Sequence, residues 1–101
     1  MIRHIVMFKL LPQAEGRTAR ENAALAVSML EQLRGQIPTL RSMQTAVNAP
    51  DAPADNYELA LICTFDDLAG LDAYQNHPEH RKFGAFISKV HASRACIDFE
   101  E

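Results

Sequence analysis

Tyr74, His77 and His80 sit within one twelve-residue stretch, AYQNHPEHRKFG at 73–84, and their side chains suit acid–base chemistry. A histidine titrates near neutrality, so it can accept or deliver a proton at physiological pH. A tyrosine hydroxyl can donate a hydrogen bond to a carbonyl or enolate oxygen. The pair fits removal of an acidic proton beside a carbonyl, with His80 as base and Tyr74 as oxyanion donor. Plainer uses exist for the same residues. His80, third in its helix, can bond local backbone, and Tyr74 can pack with its hydroxyl reaching water. Metal ligation is a further use, since His77-x-x-His80 with Glu79 offers donors. His77 precedes the helix, however, and the spacing is not that of an H-E-x-x-H pair, so no metal is expected.

Helices must position these groups. Pro78 suits the first position of a helix capped by Asn76 or His77 and running to about Val90. Its apolar stripe is Phe83, Phe86, Ile87 and Val90, and His80 lies roughly 70° from the stripe's centre at about 100° per residue. The imidazole therefore borders the core. Gly84 lies one turn further along the same edge. A glycine inside a helix costs about 1 kcal/mol relative to alanine, so it marks a need for space beside the imidazole. Tyr74 falls on a preceding short helix, 66–77, capped by Asp66 or Asp67. His91 reads as a surface residue near a helix end.

Strands supply the floor. IRHIVMFKL (2–10) reads as the first strand, with His4 on the same side as Val6 and Phe8. If that side faces the helices, His4 lies beneath Tyr74 and His80. Residues 18–38 read as a helix opened by a Thr18–Glu21 capping box and stopped by Gly35 and Pro38. LRSMQTAVN (40–48), YELALICTF (57–65) and SRACIDFE (93–100) read as the remaining strands. The loop APDAPAD (49–55) carries solvated carboxylates without a cation-loop pattern. The order is βαββαβ, the ferredoxin-like α+β pattern. It predicts a four-stranded antiparallel sheet with helices on one face and strand one between the third and fourth strands. That layout keeps Cys63 and Cys96 too far apart for a disulfide.

The whole chain, 1–101, reads as one domain of ordinary globular composition, with 48% hydrophobic and 23% charged residues and a net charge of −3. There is no basic stripe, which argues against nucleic acid as a partner. The apolar runs are too short to span a bilayer, and the N-terminal run lacks a small-residue cleavage site. Two cysteines inside apolar patterns read as buried thiols and suggest a reducing, cytoplasmic location. Ile5 and Met7 oppose Ile2, Val6 and Phe8, while Ala60 and Ile62 oppose Leu59, Leu61 and Phe65. Both faces of the sheet are apolar at the centre, and helices can cover only one. A homodimer formed sheet against sheet is expected.

IRHIVMFKL at the start, YELALICTFDDLAGLDAYQNHPEH in the middle and CIDFE at the end resemble the stress-responsive A/B barrel (Dabb) domain family. The resemblance spans essentially the whole chain. It implies a ferredoxin-like protomer whose sheets pair into a dimeric α/β barrel. Enzymatic relatives implied by it are plant polyketide cyclases of the olivetolic acid cyclase type, which need no cofactor. By that resemblance the catalytic histidine and tyrosine fall on His80 and Tyr74, and a pocket histidine falls on His4. Phe83-Gly84 matches as well. The first helix has no aromatic residue, so Val27 and Leu30 would shape that side of the pocket differently. The expected binding set is His4, Val6, Phe8, Val27, Leu30, His77, Phe83 and Gly84, with His80 and Tyr74 catalytic, and with neither metal nor cofactor. The expected function is a homodimer binding a small hydrophobic or carbonyl-bearing metabolite. The alternatives are a cofactor-free cyclase or lyase, and a structural or regulatory dimer without ligand.

Overall fold

β1 (Ile2–Leu10) is the strand on which the molecule is assembled, and a computed structural model describes all of residues 1–101 around it. It pairs antiparallel with β5 (Leu59–Phe65) on one side and β6 (His91–Glu100) on the other. β4 (Ser42–Val47) adds to the far edge of β5, giving the antiparallel order β4-β5-β1-β6. The first strand therefore lies between the third and last strands of the expected pattern. A short ribbon, β2 (Gln13–Ala14) with β3 (Arg17–Thr18), interrupts what reads as a loop. Its two turn residues, Glu15 and Gly16, have φ of 53° and 75°. Positive φ at both central positions is what a tight two-residue hairpin demands.

Alternation along β1 and β5 separates the faces. Ile2, Val6 and Phe8 meet Leu59, Leu61 and Phe65 beneath the helices, all at most 5% exposed. His4 is on this buried face, as expected, opposite Cys63. The helices are α1 (Ala19–Glu31), α2 (Leu68–Asn76) and α3 (Pro78–Val90). α1 opens on the expected capping box, with Thr18 Oγ1 accepting from Glu21 N and Glu21 Oε1 accepting from Thr18 N. It does not continue to residue 38. From Gln32 the chain winds through tight turns, such as Leu33 N to Leu30 O at 2.9 Å, and Gly35 takes a φ of 75°. Leu33 and Ile37 are still buried there, at 3% each, so turns satisfy the apolar spacing that resembles a helix.

The opposite face of the sheet carries Ile5, Met7, Ala60 and Ile62 at its centre and Ile97 and Phe99 towards the β6 edge. Met7, Ile97 and Phe99 remain 40%, 58% and 37% exposed. No helix covers this side. No helix of the protein is long and apolar enough to cross a membrane.

Candidate functional site

The Tyr-to-Gly stretch is held by two helix starts. Asp67 caps α2 by accepting from Gly70 N at 2.8 Å. His77 caps α3, its Nδ1 accepting from Glu79 N at 3.1 Å, with Pro78 at the first helical position. That bond takes Nδ1, and His77 does not line the cavity that His80 borders. The next turn brings His80 onto the Tyr74 ring, with centroids 4.5 Å apart and planes at 57°. Tyr74 in turn packs on Phe65 at 5.1 Å, and His80 neighbours Phe83 at 6.1 Å. An aromatic frame thus fixes the imidazole.

Beneath α3 is a cavity of about 170 Å³. Its floor is His4, Val6, Phe8 and Leu61, and its wall along α3 includes His80, Phe83, Gly84 and Ile87. Gln75, Ser88, His91 and Arg94 complete the lining. A side chain added at Gly84 would meet no atom within 4 Å, so the glycine borders open space, as its position beside the imidazole suggested. Of the residues singled out in the sequence, the fold brings together His4, Val6, Phe8, His80, Phe83 and Gly84. Val27 and Leu30 do not line this cavity: Leu30 is fully buried in the core and Val27 packs against it.

Tyr74 is close but differently placed from its expected role. It is fully buried, is absent from the cavity lining, and its hydroxyl has no nitrogen or oxygen partner, only the Cys63 thiol beside it. Burial and the neighbouring Cys63 thiol push that hydroxyl far above the usual phenol range. Burial likewise pushes the Cys63 thiol up to about 12. Burial also holds His80 below the usual histidine range, opposed by the Gln75 backbone and reinforced by His4 and Arg94. A histidine so shifted is neutral at pH 7 and carries a free lone pair.

His91 is not the surface residue its position suggested. It opens β6, lines the cavity, donates from Nδ1 to the Ile87 carbonyl at 2.8 Å, and meets Phe8 edge-on at 6.1 Å. Arg94 and Asp98 were also missed. Asp98 stands opposite His4 in the β1–β6 register, its Oδ1 2.5 Å from His4 Nδ1. Alternation in β6 puts Arg94, Cys96 and Asp98 on one face, but only the β1–β6 register shows that this face is the helix side. A second, larger cleft of about 320 Å³ lies between the start of α1 and the 48–58 loop. Its only carboxylate, Glu58, is already tied to Lys9 Nζ and Leu10 N at 2.8 Å each, leaving no free acid–base group.

Solved structures share this architecture. A dimeric protein of unknown function and ferredoxin-like fold from Bacteroides fragilis NCTC 9343 is 30% identical, with 99% of this chain and 95% of that one covered and a TM-score of 0.81. A dimeric ferredoxin-like protein of unknown function from Thermobifida fusca YX is 29% identical over 99% and 90%, with a TM-score of 0.82. A third, from Jannaschia sp. CCS1 and described in the same terms, is 27% identical over 99% and 98%, with a TM-score of 0.74. No curated protein matches the chain. The family model for the Stress responsive A/B Barrel Domain matches residues 2–101, from the first residue of β1 to one residue past β6. Because that match covers every residue but the first, the chain belongs to the Stress responsive A/B Barrel Domain (Dabb) family.

Proposed function

We propose that this chain works as a homodimer that takes a small ligand, apolar in body and bearing a carbonyl or carboxylate oxygen, into the cavity under α3. The observation that carries this reading is the mixed lining. Val6, Phe8, Leu61, Phe83 and Ile87 offer apolar walls, while His80, His91 and Arg94 offer polar groups to an oxygen. A volume of about 170 Å³ sets the scale. Engineered apolar cavities of about 150 Å³ take a benzene-sized guest. Acetylacetone is a suitable probe of that size. Calorimetry of the dimer with acetylacetone is expected to show binding that Gly84→Leu abolishes by filling the cavity. Heat that persists in Gly84→Leu would overturn the assignment, and no binding would leave a structural or regulatory dimer.

The dimer rests on the uncovered apolar face, since soluble monomers rarely expose a large contiguous apolar patch. Dimeric relatives with the same sheet support it. A cytoplasmic location belongs to the same proposal and is supported by two free thiols, of which Cys63 is buried as expected while Cys96, on the edge strand β6, is exposed.

A second reading, a cofactor-free cyclase or lyase, is favoured by one observation. His80 stands half-buried at the cavity wall, and burial holds its pKa below the usual histidine range, which favours the neutral ring a general base needs. It would accept the acidic proton while Arg94 holds the developing oxyanion, and Tyr74 would serve by bracing the imidazole with its ring. Deuterium exchange at the central carbon of acetylacetone should then be accelerated by the protein and lost in His80→Ala. Equal exchange in that variant would remove His80 as the base.

A further inference from the structure

We infer that His4, Cys96 and Asp98 form a binding site for a transition-metal dication such as zinc. The site lies on strands rather than loops: register sets His4 opposite Asp98 and Val6 opposite Cys96, so all three side chains leave the helix face of β1 and β6. Their donor atoms converge on one point. His4 Nδ1 is 2.5 Å from Asp98 Oδ1 and 3.5 Å from Cys96 Sγ, and Cys96 Sγ is 3.7 Å from Asp98 Oδ1.

Convergence on a single ring nitrogen separates this from a cysteine–histidine–aspartate relay. In a relay the nucleophile and the carboxylate use opposite nitrogens of the imidazole. Here both meet Nδ1. A metal ion uses such a cluster directly. With zinc–sulfur bonds of about 2.3 Å and zinc–nitrogen or zinc–oxygen bonds of about 2.0–2.2 Å, tetrahedral geometry puts sulfur roughly 3.6 Å from each lighter donor. The two sulfur edges already have that length. The nitrogen–oxygen edge must open to roughly 3.3 Å by the same geometry. Asp98 can supply that movement, since its side chain is 34% exposed, whereas His4 is anchored at 3%.

The donor chemistry agrees. A thiolate and an imidazole select zinc, cobalt or copper over magnesium or calcium. Thiolate and carboxylate together carry two negative charges, which balance the dication. On binding, two protons are displaced: the Cys96 thiol proton leaves to solvent as the metal–sulfur bond forms, and the proton that His4 Nδ1 shares with Asp98 leaves Nδ1 by exchange with solvent, so that the ligating ring is the neutral tautomer with its proton on Nε2. The helices bury His4 but leave Cys96 exposed, so an ion has an entry path and a fourth position open to water. The dimer proposed above would pair through the opposite sheet face and leave this side accessible. The inference does not depend on an organic ligand in the cavity.

The test is a cobalt(II) titration of tag-free, chelator-treated dimer, followed by optical absorption. One cobalt per chain is expected, with a thiolate-to-cobalt charge-transfer band in the near ultraviolet and the strong visible bands of a tetrahedral ion. Cys96→Ser should lose the charge-transfer band. Asp98→Asn should keep the band but weaken binding at least about tenfold, the loss that changing even an outer partner of a metal ligand brings. Both residues are exposed, and circular dichroism verifies that the variants fold. His80→Ala should bind cobalt as the parent does. A spectrum without the thiolate band, or binding unchanged in Cys96→Ser, would overturn the site.

Discussion

Replacing Tyr74 with phenylalanine removes one oxygen and leaves the ring against His80 at 4.5 Å and Phe65 at 5.1 Å. That oxygen is buried with no nitrogen or oxygen partner, and only the Cys63 thiol, a weak one, stands beside it. A buried hydroxyl left unpaired costs about 1–3 kcal/mol. Against this stands the void left by one oxygen, about 15 Å³, which costs roughly 0.4 kcal/mol at about 24 cal/mol per Å³. The net expectation is a gain near 1 kcal/mol in Tyr74→Phe. For a domain of this size that raises Tm by about 4–8 °C. Urea unfolding at fixed protein concentration measures it, since the melting of a dimer shifts with concentration. Acetylacetone binding should stay within about twofold, a change of only about 0.4 kcal/mol. A loss of 1 kcal/mol or more in stability, or a tenfold loss of binding, would refute the reasoning. Either result would mean that the hydroxyl has a partner or a role in the cavity.

Other perturbations separate packing from function. Gly84→Ala should stabilise the protein by up to about 1 kcal/mol through helix propensity, while weakening acetylacetone binding because the new methyl enters open space; unfolding and calorimetry on one preparation check both signs. Because the folded chain holds His80 below its ordinary value of 6.5, the unfolded chain binds a proton that the folded one does not once pH falls through that value. Stability should therefore drop on acidification below about pH 6.5, by at most about 1.4 kcal/mol per pH unit, and level off beneath the folded value. His80→Gln should flatten that part of the profile in urea titrations run from pH 7.5 down to about 5. Ile97→Asp alters a residue 58% exposed on the uncovered sheet face, so it should leave the protomer's circular dichroism intact and shift light scattering to monomer.

Much of this architecture was legible because period-two alternation in β1 and β5 is strong and caps are local. Thr18 with Glu21, and His77 with Pro78, act within four residues of themselves. The end of α1 was not legible, since Leu33 and Ile37 keep helical spacing while the backbone turns at Gly35. The β2–β3 ribbon was hidden because two-residue strands carry no periodicity. For the site, helix angle and strand parity were enough to bring His80, Gly84 and His4 to one place. They did not reveal His91, Arg94 or Asp98, because those positions depend on the β1–β6 register and on its shift at Lys9–Leu10. Val27 and Leu30 do not reach the cavity for a tertiary reason: α1 packs against one side of α3 and against β4, whereas the cavity opens on the β6 side of α3. Nor does spacing fix where a phenol oxygen ends, which is why Tyr74 contributes a ring rather than a hydroxyl.

The most direct measurement is a map of amide chemical shifts in the isotope-labelled dimer as acetylacetone is added. Saturable shifts centred on His80, Phe83, Gly84 and Ile87 are the predicted result. Shifts centred instead on Ala19, Ala23 and Val47, or none at any concentration, would contradict a ligand site beneath α3.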